Sequence, residues 1–167
     1  MSAPETLTRS KTVTWEDPSL SAAAMTTMSG RELLQAIMEG RLPRPPIAEL
    51  IGARLTSVGE GVAVFECTPD ESAYNPIGLV HGGLLCTLLD SAAGCAVHSL
   101  LPAGVGYSSI EIKVSFLAPV RADSGTIEAE GRALRVGRQV AFAEAHARTR
   151  DGRLVGHATS SLAVMRP

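Results

Sequence analysis

The chain has 167 residues, 45% of them hydrophobic and 19% charged, with a net charge of −2. That length carries one core rather than two, and the hydrophobicity excludes a disordered chain. The lack of basic surplus argues against a nucleic-acid partner. Three cysteines, Cys67, Cys86 and Cys95, lack C-x-x-C spacing, and residues 1–18 hold no apolar signal core. Free thiols in a reducing, cytoplasmic setting are expected.

Residues 1–28 show no periodicity and read as an arm, in which 11–15 alternates weakly enough to suggest an edge strand. Ser29-Gly-Arg-Glu32 is a capping-box pattern. Leu33, Leu34, Ile37 and Met38 follow as an apolar stripe, so an amphipathic helix is expected over about 29–40, ended by Gly40. Residues 42–46 form a proline-rich connector. The expected division is an arm with one helix, 1–46, and a globular domain, 47–167.

From residue 51 the pattern changes. Residues 51–58 and 62–68 read as strands around Gly59-Glu60-Gly61. A loop, 69–80, leads into a helix over 81–101 that is apolar nearly all round and therefore expected to be buried. Strands are expected at 109–117, 125–136, 139–150 and 153–165. In the first of these, Ile110, Ile112, Val114 and Phe116 alternate against Ser109, Glu111, Lys113 and Ser115. Asp151-Gly152 signals a two-residue hairpin, in which facing positions sum to 303. Ala141, Ala143, Ala145 and Ala147 then oppose Leu162, Ser160, Ala158 and Gly156, a face small enough to press against the buried helix. His146 and His157 become direct neighbours on the other face. The expected class is α+β, a long buried central helix wrapped by a curved antiparallel sheet.

Residues 72–110 contain a single charge, Asp90. Pro76, Gly78, Gly82, Gly83, Gly94 and Pro102 break this stretch, so no membrane span is expected. A carboxylate on an apolar helix is costly to bury unless something compensates, so Asp90 points to function. The structural alternative is an Asp bonded to Thr87 or Ser91. Upstream, Asn75-Pro-Ile-Gly-Leu-Val-His81-Gly82-Gly83 feeds a loop into a helix start. The Gly82 and Gly83 amides read as uncovered donors at the positive end of the helix, where an oxyanion could be held. Equally, the two glycines could only permit close packing. Cys86 and Cys95 read as small core residues. The histidines and cysteines show no ligand spacing, so neither metal nor cofactor is expected.

The stretch Asn75–Gly94 follows N-P-x-G-x-V-H-G-G-x-x-x-x-L-x-D-x-A-x-G. It resembles the signature of hotdog-fold acyl-CoA thioesterases of the phenylacetyl-CoA (PaaI) type. The likeness continues through 108–119, Gly137-Arg138 and the Asp151-Gly152 hairpin, covering about 47–164. It implies a hotdog domain over 47–167 that hydrolyses acyl-CoA. On that resemblance Asp90 is nucleophile or general base and the Gly82 amide polarises the carbonyl. His81 shapes the turn, Asn75 orients water or carbonyl, and Ser109 positions the carboxylate. Gly83, Gly137 and Arg138 are the candidates for substrate binding, with Lys113 and Arg135 as further cations. A related branch carries threonine one turn after its carboxylate; Gly94 stands there in this chain, which favours Ser109.

Gly82 and Asp90 lie eight residues apart, about 12 Å along one helix. They cannot act on one carbonyl within one chain, so a homodimer, or a dimer of dimers, with sites at the interface is expected. The competing readings are a hotdog enoyl-CoA hydratase or dehydratase and a non-catalytic acyl-CoA-binding module.

Overall fold

The computed structural model describes residues 7–166. In chain order the elements are α1 (Ser19–Ala24), α2 (Gly30–Met38), α3 (Pro46–Ile51), β1 (Ala53–Gly59), β2 (Val62–Cys67), α4 (Gly82–His98), β3 (Gly106–Phe116), β4 (Ile127–Val136), β5 (Val140–Thr149) and β6 (Leu154–Met165). The strands form one six-stranded antiparallel sheet in the order β1-β2-β4-β5-β6-β3. The central helix α4 lies across one face of that sheet, with β3 at an open edge.

The core is the interface between α4 and the sheet. Leu85, Leu88, Leu89, Ala92, Ala93, Ala96 and Val97 are buried against Ala129, Ala141, Ala143, Ala145, Ala147 and Ala158. Alanines let the helix settle close to the strands, and Gly131 of β4 takes this furthest. A Cβ there would stand 2.1 Å from the Ala92 carbonyl oxygen, so only glycine fits.

The β5–β6 pairing has the expected 303 sum from Ala141↔Leu162 to Ala147↔Gly156, but not through a two-residue turn. The Gly152 amide donates to the Thr149 carbonyl and the Thr149 amide to the Arg153 carbonyl. Gly152 takes φ +85°. This is a three-residue loop with its left-handed glycine, and it sets a sum of 302. The register shifts between Ala147 and Arg148, leaving Val155 as an extra residue in β6 that restores 303.

Several local expectations change. The capping box of α2 forms as read, Ser29 with Glu32. Residues 11–15 are not a strand; they run as an irregular segment whose Lys11 Nζ bonds Asp70 at 2.9 Å and Ser72 at 3.2 Å. The helices α1 and α3 went unread, α3 starting with proline at its first position inside the expected connector. The helix α4 is not covered all round either. Gly83 is exposed, and Cys86, Thr87, Asp90 and Ser91 are only half-buried, because the sheet edge stops at β3.

Candidate active site

The turn into α4 is built mostly by short-range bonds, with the Val80 amide tying it to the Val120 carbonyl at 2.9 Å. The Asn75 side-chain oxygen accepts from the Ile77 and Leu79 amides, both at 3.1 Å. The His81 amide donates to the Ala73 carbonyl. His81 is the N-cap of α4, its Nδ1 accepting from the Gly83 amide at 2.8 Å. An accepting Nδ1 places the proton of neutral His81 on Nε2. The Gly83 amide is therefore not an uncovered donor: His81 occupies it. The Gly82 amide has no acceptor among the described residues and remains free. A side chain at either glycine would displace a neighbour, the exposed Phe116 ring at Gly82 or the His81 cap at Gly83. A Cβ at Gly82 would lie 2.8 Å from the Phe116 ring, and one at Gly83 would lie 2.9 Å from His81 Nδ1. Asn75, His81, Gly82 and Gly83 line one cleft of about 550 Å³ together with Phe116 and Val120.

Two turns further along α4, Asp90 meets β3. Ser109 Oγ donates to Asp90 Oδ1 at 2.7 Å. The alternative partners are engaged elsewhere: Thr87 Oγ1 donates to the Gly83 carbonyl and Ser91 Oγ to the Thr87 carbonyl. A β-bulge makes the Ser109 contact possible. The register of β3 against β6 shifts between Ser109 and Glu111, which expels Ile110 to 62% exposure. Ser109 thereby joins Ile112, Val114 and Phe116 on the side facing α4, instead of opposing them as simple alternation required. Asp90, Ser109, Ile110 and Cys86 line a second, shallow cleft of about 300 Å³.

The cysteines are poor nucleophiles. Burial pushes Cys67 up to about 11 and Cys95 up to about 12. Burial, and then the charge of Asp90, raises Cys86. His146 and His157 pair as read, ring centroids 4.7 Å apart. Among the described residues no three His, Cys, Asp or Glu side chains gather as metal ligands. No helix there is long and apolar enough to cross a membrane. Gly137 and Arg138 sit in the β4–β5 turn, where the Gly137 amide bonds the Val140 carbonyl. They line neither cleft.

One protomer thus brings Asn75, His81, Gly82 and Gly83 together, and separately Asp90 with Ser109. Sequence reasoning missed Tyr107 and Phe116 as neighbours of these groups. The sequence held no signal for Tyr107: simple alternation with Ile110 inward turns both Tyr107 and Ser109 outward, and the register shift between Ser109 and Glu111 reverses this.

Residues 77–156 match the thioesterase superfamily model. The 1,4-dihydroxy-2-naphthoyl-CoA hydrolase of Listeria monocytogenes is 31% identical over 93 residues, 55% of this chain and 73% of that one. The chain belongs to the thioesterase superfamily. An esterase candidate from Halobacterium salinarum is 44% identical over 69 residues, which span 40% of this thioesterase and 44% of that protein. Among solved structures, a phenylacetic acid degradation-related protein of Ralstonia eutropha is 28% identical with a TM-score of 0.71, covering 78% of this chain and 98% of its own. The Escherichia coli PaaI protein has the same fold, with a TM-score of 0.71 at 22% identity, covering 83% and 96%. The fold is the hotdog fold and the protein is a thioester hydrolase.

Proposed function

We propose that this thioesterase hydrolyses acyl-CoA at two equivalent sites, each shared between the subunits of a homodimer. The observation that carries the reading is the division of the polar groups along α4. The free Gly82 amide and the Ser109-bonded Asp90 carboxylate sit eight residues apart on one helix, about 12 Å along its axis. Antiparallel α4 helices from two subunits would bring Gly82 of one beside Asp90 of the other. The open edge of β3, with Ile110, Phe116 and Leu117 more than half exposed, supports association there.

In the proposed reaction the thioester oxygen lies at the Gly82 amide, where negative charge develops. Asn75 and His81 fix that turn. Asp90 of the partner subunit, oriented by its own Ser109, takes a proton from water as the water oxygen bonds the carbonyl carbon. The tetrahedral intermediate collapses, the C–S bond breaks, and the proton passes to the leaving sulfur. The products are free acid and CoA. Arg138 is the proposed contact for a CoA phosphate.

The test is thiol release from a panel of acyl-CoA esters, run beside an enoyl-CoA hydration assay. Free thiol with aryl or aliphatic esters is the expected result. Hydration without thiol release would replace the reading with the hydratase one, and binding without turnover would leave only a binding module.

A further inference from the structure

Tyr107 is the second residue of β3 and pairs with the buried Val164, while Ser109 pairs with the buried Leu162. Both therefore face α4. Two residues along a strand advance about 6.8 Å, and four along a helix about 6 Å. The strand and helix run in step: Ser109 stands at Asp90, and Tyr107 stands one turn on, at Gly94. A Cβ on Gly94 would lie 2.6 Å from the Tyr107 hydroxyl oxygen, so the missing side chain is what admits the phenol. His98 holds the other side of the ring, with centroids 5.3 Å apart. The hydroxyl rests against the Cys95 sulfur. Burial raises both groups, the thiol to about 12 and the phenol well above its ordinary value, and the charge of Asp90 adds to both shifts. Each therefore stays protonated at working pH. The phenol can then donate its O–H to the Cys95 sulfur as a hydrogen bond and keep its lone pairs for another donor.

Asp90 has one oxygen taken by Ser109, and Oδ2 has no partner among the described residues. Side chains at i and i+4 of a helix begin about 5–6 Å apart. The phenol oxygen stands close to where a residue-94 side chain would begin. One water, with hydrogen bonds of about 2.8 Å on each side, spans such a gap.

We propose that Tyr107 is a positioning residue that holds the hydrolytic water between its hydroxyl oxygen and Asp90 Oδ2. The water donates one hydrogen to each and turns a lone pair to the thioester carbon. As the C–O bond forms, the proton on the Asp90 side passes to the carboxylate. Tyr107 keeps its own proton throughout. This rests on the reading of Asp90 as the group that takes the proton.

The test is steady-state hydrolysis by Tyr107→Phe, by protein carrying 3-fluorotyrosine at position 107, and by Asp90→Asn. Tyr107→Phe should lower kcat about tenfold with KM unchanged, the scale of one lost hydrogen bond to a reacting group. The fluorinated phenol keeps its ring in place but is a weaker acceptor, and should lower kcat about two- to threefold. It decides the matter if Tyr107→Phe does not fold. Wild-type kcat in whichever of these folds, or a change confined to KM, overturns the inference while leaving Asp90 standing, provided Asp90→Asn is inactive. An active Asp90→Asn overturns the Asp90 reading and the inference with it.

Discussion

The two polar regions on α4 are built by opposite means. The glycine turn lies within nine residues, Asn75 to Gly83, and all but one of its bonds span two to eight positions along the chain, the exception being the Val80 amide, which donates to the Val120 carbonyl at 2.9 Å. The Asp90 region joins residues nineteen apart on different elements and depends on a bulge in β3 to aim Ser109. The first presents a rigid backbone donor and the second a carboxylate with one free oxygen. The proposed chemistry needs one of each.

The comparison is broken most severely at the carboxylate. Asp90→Asn should leave the fold intact and lower thioester hydrolysis at least about a hundredfold, the scale for a lost acid–base group. Circular dichroism and thiol release check both parts, and near-wild-type turnover would end the assignment. Ser109→Ala should cost about tenfold in kcat, since a bond that only orients the carboxylate matters less than the carboxylate. A variant as inactive as Asp90→Asn would give the hydroxyl a direct chemical role.

At the glycine turn, His81→Ala removes the N-cap and should cost about 1 kcal/mol of stability by denaturant titration. His81→Asn supplies a good cap and should restore that stability. If His81 acts only by shaping the turn, activity should return with the cap; stability restored without activity would give the Nε2 proton a role of its own. Arg138→Ala, outside both regions, should raise KM for the CoA ester a few-fold and leave kcat unchanged, the scale of one exposed charge contact. A chelator should have no effect, because the proposed oxyanion donor is a backbone amide and no cluster of metal-ligating side chains gathers among the described residues.

The same contrast explains what the sequence made legible. The α2 capping box, the strand pair 53–67, the helix α4 and the β5–β6 register rest on short-range patterns, and each is present in the structure. The hairpin register was right although its turn was not, because Val155 offsets the longer loop. Periodicity alone carries no trace of the β3 bulge, since Ile110 looks like any other inward apolar position. Simple alternation therefore turned Ser109 away from the helix it bonds. The burial expected for Asp90 fails within one protomer for a related reason. An apolar helix does not say which of its sides its own chain covers, and here one side stays open.

The central claim is that each site takes its glycine turn from one subunit and its carboxylate from the other. Asn75→Ala disables the first region and Asp90→Asn the second, and each homodimer should be inactive. A mixed dimer would hold one doubly altered site and one unaltered site. Random mixing in equal amounts makes half the dimers mixed, so about a quarter of wild-type activity should return under two-fold symmetry. Two affinity tags, one on each variant, isolate the mixed species by sequential capture for the thiol-release assay. Recovered activity in that fraction is the expected result. A confirmed mixed dimer as inactive as its parents would contradict the shared site and place both residues in action within a single chain.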